Sequence, residues 1–431
     1  MGGFNVSAQS PSHLPQGHLT ALYPEVPDST YQGLADSLPR YLKFCGYDAV
    51  ELLDQSFSQP DNKLAGYYAE AKQYVEKAHQ HGLKIYIILL TNESRRLNVK
   101  NPSQNEYSVL FNPTTEPAEY QQRLREVQQA IQRGFASADG FEVFAGDPGG
   151  CVGEGCDLDQ FLRFGKAYND MVKKLGTGAE VTLNAWAIGN WGGSLGVAID
   201  FWDADTRLSE ALVDRKVPFG DAITLDGADL YRFLVFQLYE KARRPVPDFP
   251  TRSTVDAIHA QGKRAYLWPY FIVDDDESRP MTFNKVHFEV RYIRQLAQRM
   301  RRMGFDGSFA NACSPRPQMG NIYAYAQLSR NPDTPVGEIL KNFATLIARP
   351  DSVGKLAEVF AFMENHSGWS SQMPSAFRLA PVACGLRTYD DALAALSSVR
   401  PIERSTAPLL LSPEEYLAKV RSTLVFMKAH Y

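Results

Sequence analysis

The sequence predicts a (β/α)8 barrel followed by a helical C-terminal region. Three observations carry this. Short apolar runs rich in Val, Ile, Leu and aromatics alternate with amphipathic helical runs from the start to about residue 330. The phrases HGLKIYIILL, QGKRAYLWPYF and MGFDGSFAN repeat one logic, in which a helix ends at or near glycine, turns, and gives way to a buried strand. No GxGxxG or GxxxxGK[ST] follows any of these runs, which argues against a doubly wound nucleotide-binding sheet.

Along the chain, strands are expected at Phe4–Gln9, Ala49–Leu53, Lys84–Leu90, Phe141–Ala145, Glu180–Ala185, Asp221–Leu225, Ala265–Phe271 and Gly307–Ala310. Helices are expected between them at Tyr67–His81, stopped by Gly82, and at Pro117–Arg133, Leu158–Leu175 and Asn284–Met303, the last stopped by Gly304. The connection around strand six, Leu230–Arg243 and Pro245–Pro250, is long and irregular. After Pro332 the periodicity is helical (VGEILKNFATLIAR, VGKLAEVFAFMENH, SPEEYLAKVRSTLVFMKAHY). The expected organisation is a barrel over 1–332 and a helical region over 333–431.

Composition sets the bounds. With 431 residues, 44% hydrophobic and 22% charged, the chain is globular and long enough for a core without disulfides or metals. A balance of 45 basic against 49 acidic residues leaves −4, so no nucleic-acid partner is expected. The longest apolar stretches, such as Ile85–Leu90, fall far short of the roughly 20 residues that span a bilayer. No basic-then-apolar leader opens the chain, so the expectation is a soluble protein, cytoplasmic or, if a leader was removed, periplasmic or secreted. Five cysteines do not make a disulfide framework; Cys151 and Cys156 read as a loop disulfide or inert thiols rather than a metal site.

A barrel of this kind carries its active site at the C-terminal ends of the strands. There the sequence places Asp54-Gln55, Thr91-Asn92-Glu93, the loop GDPGGC from Gly146 to Cys151, and then Asn184, Trp186, Asn190 and Trp191. Asp226 and Asp229 follow strand six, Trp268 and Asp274-Asp275-Asp276-Glu277 follow strand seven, and Asn311 follows strand eight. Carboxylates beside indoles describe a sugar site, since one carboxyl protonates the leaving oxygen, a second acts as base or nucleophile, and aromatic rings stack on the sugar. No GxSxG, HExxH or His cluster competes, and no cofactor is expected.

The candidate catalytic residues are Asp147, Asp226, Asp274 and Asp275. The candidate binding residues are Gln55, Asn92, Asn184, Trp186, Trp191, Trp268, Arg279 and Asn311. Plainer readings stand beside them. Asp147 can cap its loop, Asp274–Glu277 can face water, and the Trp residues can be core. Glu51 and Glu142, inside strands, read as structural partners of Arg or Lys. Arg291, Arg294, Arg299, Arg301 and Arg302 read as the solvated face of an outer helix.

The segment FDGSFANACSPRPQMGNIYAYAQLSRNPDTPVGEIL resembles the end of the barrel in family 67 α-glucuronidases and related barrel glycosidases. The GDPGGC loop more loosely resembles hexosaminidase-type barrels. The likeness covers about residues 260–360 and that loop. It implies Asp147 as acid, with Asp226 or the Asp274/Asp275 pair as base, although the acid of the α-glucuronidases is a Glu. The expected function is a glycoside hydrolase, exo-acting, with an acidic sugar favoured by the resemblance and by Arg279. The alternatives are a non-catalytic glycan-binding barrel, or a divalent-metal-dependent lyase or isomerase acting through Asp274–Asp276.

Overall fold

The computed structural model describes residues 3–8, 36–59, 61–94, 109–145, 150–151, 153–186, 188–192, 199–227, 243–244, 249–269, 285–311, 315–366 and 379–430. Eight strands form a closed barrel: β1 (Gly3–Ala8), β2 (Ala49–Leu53), β3 (Lys84–Leu90), β4 (Gly140–Phe144), β5 (Glu180–Asn184), β6 (Ala222–Gly227), β7 (Arg264–Pro269) and β8 (Gly307–Asn311). Each neighbours the next in chain order, with β8 beside β1, and the registers from β2 through β8 are parallel. The fold class read from the sequence is the one observed. The irregular connection after β6 lies largely outside the described residues.

Two compact units make up the chain: 1–5, 49–269 and 303–309 in one, and 6–48, 270–302 and 310–431 in the other. In the first, α2 (Leu64–Gln80), α3 (Pro117–Arg133), α4 (Leu158–Lys174), α5 (Ile199–Asp214) and α6 (Arg252–His259) alternate with the strands. A small antiparallel pair, Glu93–Ser94 with Val109–Leu110, decorates the exit of β3.

One device recurs at the N-terminal ends of the strands. Asp139, Asp221 and Asp306 each sit just before a strand, and the carboxylate accepts the N–H of Ile85, Val181 or Ala265 on the neighbouring strand at 2.8–2.9 Å. The same oxygen meets a basic residue of the preceding helices, His79 at 2.8 Å, Lys173 at 2.7 Å and His259 at 2.9 Å. Each clamp ties helix, strand and next strand together at alternate steps around the barrel. The ion pairs are half-exposed and contribute little. More comes from satisfying the strand N–H, which would otherwise lack an acceptor.

The lumen follows from strand parity. Alternate side chains point inward, and only through the lumen can strands that are not neighbours touch. Tyr86 of β3 meets Phe309 of β8, with ring centres 5.4 Å apart, and donates to Glu180 of β5 at 2.8 Å. Gly140 lies opposite, where a Cβ would sit 2.3 Å from the Tyr86 ring. Arg264 pairs with Glu180 and stacks over Tyr266. This lower layer is therefore charge-compensated.

The second unit contains α1 (Ser37–Cys45), α7 (Val290–Met303), α8 (Met319–Arg330), α9 (Val336–Thr345), α10 (Val353–His366), α11 (Tyr389–Ser397) and α12 (Pro413–His430). Phe288, Phe343, Phe360 and Tyr416 form its aromatic centre. Two expectations are corrected here. Helix α7 begins at Val290 rather than 284, because Glu364 of α10 accepts the N–H groups of Val290 and Arg291 and so sets its start. Arg291 is buried rather than solvated, since it binds Glu364 at 2.9 Å and the carbonyls of Leu379 and Glu364. Burial, against the opposing pull of Arg291, pushes the Glu364 carboxyl up to about 7. Among the described residues no helix is long and apolar enough to cross a membrane.

These contacts can be tested by substitution. Asp221→Ala should lower unfolding free energy by about 1–2 kcal/mol in urea denaturation, and Asp221→Asn, which keeps the acceptor, by less. His287, buried against Gln318, has its pKa pushed down to about 4 by burial, although the Lys285 carbonyl opposes this. A depressed histidine contributes stability above its unfolded value of 6.5 and loses it as pH falls toward 4. The stability difference between wild type and His287→Gln should therefore shift against wild type by about 3 kcal/mol between pH 7 and 4, read by denaturation at each pH.

Candidate functional site

Above the lower layer, the lumen turns acidic toward the C-terminal ends of the strands. Glu51 of β2 faces Glu142 of β4 and the indole of Trp268 of β7. Glu142 accepts the Thr224 hydroxyl of β6 at 2.7 Å. Thr182 stands beside Glu142 in register, and Asn184 and Asp226 continue the same faces of β5 and β6. All are buried.

Thr182 Oγ1 and Asp226 Oδ1 have no hydrogen-bond partner among the described residues.

The electrostatics sort the carboxyls. Burial first, and Glu142 second, hold the Glu51 carboxyl well above the usual carboxylate range. Burial also raises Glu142, but contacts from Glu51, Thr224 and Asn184 favour its ionised form. Burial and mutual repulsion thus hold the pair above the ordinary carboxylate range. Asp226 is pushed well up by burial and then by Asp205 of α5, and Asp205 itself rises to about 7 through burial, against the Gly189 N–H that it accepts at 3.0 Å. Burial thus favours the neutral form of Asp226.

Aromatic rings wall the same level. Trp186 and Trp268 lie with ring centres 4.6 Å apart, and Phe144 is 5.7 Å from Trp268. Asp226 is in register with Trp268. Asn184 Oδ1 accepts the Trp186 N–H at 2.6 Å and so fixes the turn that carries the indole. Trp191 instead packs between Phe161 and Phe164 and donates to the Ala145 carbonyl at 3.3 Å, a core role.

Polar contacts join Asn92, just after β3, to Phe111 and Gly150. Asn92 accepts the Gly150 N–H at 2.9 Å, donates to the Gly150 carbonyl, and donates to the Phe111 carbonyl at 2.8 Å. Gly150 has φ +116°, and a Cβ there would meet Asn190 at 2.2 Å, so only glycine closes this contact. Cys151 and Cys156 form a disulfide within the following loop.

Arg123 of α3, fully buried, donates to the carbonyls of Leu90 and Thr91 at 2.8 and 3.3 Å, where Tyr168 also donates. Burial opposes its charge, but Tyr168, Asp54, Glu126 and Glu93 more than offset this and raise its pKa. Asp54 is held by Ser56 and Tyr67, and the Gln55 N–H lies 2.7 Å from the Tyr67 hydroxyl.

Of the residues nominated from sequence, the structure brings Asp226, Asn184, Trp186 and Trp268 into one buried cluster. It places Asn92 and Trp191 in scaffold contacts, and Gln55 beside Tyr67. Asn311 ends β8. Asp147, Asp274, Asp275 and Arg279 lie outside the described residues. Glu51 and Glu142 are the correction: they face one another rather than an Arg or Lys, because lumen parity aims both at the same point. The legible signal was an acid within each apolar strand, AVELL and GFEVF.

A closed (β/α)8 barrel with buried acids beside indoles toward the C-terminal ends of its strands is what fold and site define. No family model matches the sequence, and no curated protein sequence matches it. Solved structures of similar fold include a GH138 enzyme targeting pectin rhamnogalacturonan II, at 10% identity and TM-score 0.51 over 99% of this chain and 56% of that one. The chain thus spans little more than half of that enzyme. They also include the endo-β-1,4-mannanase from Thermotoga petrophila (10%, TM-score 0.44, 78% of each chain) and Haloferax volcanii malate synthase in its lead(II) complex (12%, TM-score 0.39, 77% and 74%). The first of these likenesses agrees with the barrel fold.

If the Arg123 contacts hold the β3 exit, Arg123→Met should cost about 3 kcal/mol in urea denaturation, because it strands buried acids and carbonyls together. A loss below about 1 kcal/mol would show that the exit is held otherwise.

Proposed function

We propose that the protein is a glycoside hydrolase whose general acid is Asp226. The carrying observation is a buried carboxyl, with one oxygen unpartnered among the described residues, in register with Trp268 and beside the Trp186–Trp268 pair; its burial favours the acid form. Glycosidic cleavage needs such a carboxylic acid at the leaving oxygen, an ionised carboxylate for water or the anomeric carbon, and an aromatic surface for the sugar's apolar face.

Sequence position supplies the second carboxylate, from Asp147 or the Asp274/Asp275 pair on the loops after strands four and seven. On the family resemblance Asp147 takes the acid role and Asp226 that of base. Burial of Asp226 supports the exchange, since a base must be ionised at working pH. A chamber inside a barrel admits a chain end more readily than a chain middle, which supports exo-action. The family 67 resemblance and Arg279 make uronides one arm of the test.

Hydrolysis of aryl glycosides, aryl aminoglycosides and aryl uronides should identify a substrate whose kcat/KM falls about 10²- to 10⁴-fold in Asp226→Asn. The wild-type rate should fall as pH rises through the raised Asp226 value, because the acid form is the working one. Full activity in Asp226→Asn removes Asp226 from the reaction. Glycan binding without turnover across the panel favours the lectin-like alternative.

A further inference from the structure

The chain after β4 is rich in glycine and joined covalently to itself. Cys151 and Cys156 form a disulfide across a sequence separation of 5, and both cysteines are buried. Gly150, Gly153 and Gly155 all take positive φ, and ordering glycine in this way costs much conformational entropy. The hydrogen bonds of the far arm are long. Asn112 donates to the Glu154 carbonyl at 3.3 Å, the Thr114 hydroxyl to the Gly155 carbonyl at 3.5 Å, and the Cys156 N–H to the Gly153 carbonyl at 3.2 Å.

The two ends of the bridge are anchored differently. Cys156 leads directly into α4, whose start is capped by Asp157 accepting the Gln160 N–H at 3.1 Å. Cys151 follows Gly150, which Asn92 grips by both its N–H and its carbonyl, and which lies so close to Asn190 that a Cβ would meet it at 2.2 Å. The disulfide therefore carries the fixity of a helix end to a contact shared by the exits of β3, β4 and β5. One residue before Asn190, the Gly189 N–H donates to Asp205, the carboxyl that acts on Asp226.

We propose that the Cys151–Cys156 disulfide is a brace that positions the rim formed by the exits of β3, β4 and β5, and that turnover depends on its oxidised form. The link to turnover rests on the hydrolase reading above; the brace itself does not. Because it closes only a short loop, the bridge constrains little of the unfolded chain, so its effect falls on the rim rather than on the whole barrel. A small dithiol opens it by exchange: the Cys151–Cys156 S–S bond breaks to two thiols while the two sulfurs of the reductant join, two electrons and two protons passing to the protein. Cys45 and Cys384 are free, and burial pushes both thiols up, so neither competes for the bridge near neutral pH.

Hydrogen exchange read by mass spectrometry on the full chain, oxidised and after dithiothreitol, tests the brace without a substrate. Peptides covering 109–116, 150–156 and 188–192 should exchange about ten-fold faster or more once the bridge is open, while 84–90 and 222–227 stay within about two-fold. The double variant Cys151→Ser, Cys156→Ser should exchange like reduced wild type and ignore dithiothreitol. Reoxidation of wild type should restore slow exchange. With a substrate in hand, reduction should lower kcat about ten-fold or more, change KM by less than about three-fold, and be reversed by reoxidation.

Alkylation of both cysteines in protein purified without reductant, unchanged exchange at 109–116 and 188–192, or equal acceleration in the barrel strands would each overturn the brace. A rim that loosens while kcat is unchanged would overturn its link to turnover. A rim that loosens in a protein that hydrolyses nothing in either state would keep the brace and remove the hydrolase.

Discussion

Two carboxyl groups that face each other in a buried space cannot both be charged, and the upper half of this barrel is organised around that constraint. Glu51 and Glu142 meet across the lumen from strands that are not neighbours. A shared proton removes most of such repulsion, and Thr224 and Asn184 favour the ionised form of Glu142. Asp226 and Asp205 repeat the constraint nearer the strand ends. The result is a cluster of buried acids whose values are raised by burial and by one another, a condition that favours carboxyl chemistry near neutral pH.

Holding such a chamber open requires a rigid wall. The strand ends opposite the chamber are pinned by the three aspartate clamps, which couple backbone register to the last turn of every second helix. Below the acids, Tyr86, Phe309 and Tyr266 fill the lumen with rings, and Glu180 is neutralised by Arg264. A cleft of about 460 Å³ at that end, lined by Lys84, Tyr86, Asp139, Glu180 and Arg264 among others, belongs to this compensated layer. The charge-compensated layer and the acid cluster are thus separated along the barrel axis.

Much of the fold is legible in the sequence because buried parallel strands are short apolar runs. Ala49–Leu53 and Lys84–Leu90 match their strands, and Gly140–Phe144 differs from expectation by one residue. The start of α7 is not legible, because its cap is Glu364, more than seventy residues later. Arg291 is hidden for the same reason: a charged stripe looks solvated until a partner helix covers it. Among site residues, Asp226 and Trp268 follow from the rule that chemistry sits at strand ends. Glu51 and Glu142 do not, since residue order determines which face of a strand an acid takes but not which strand stands opposite. Asn92 and Trp191 have the right position and a different occupation, their polar atoms being used by Gly150, Phe111 and Ala145.

The chemistry of the chamber depends most heavily on a proton held inside the barrel at neutral pH. Infrared difference spectroscopy of the carboxylic-acid C=O stretch, comparing wild type with Glu51→Gln at about pH 7 in H₂O and D₂O, reads that proton. The wild type should show a protonated, slowly exchanging carboxyl band that the substitution removes. A wild-type spectrum in which Glu51 contributes only carboxylate bands under those conditions would refute the shared proton.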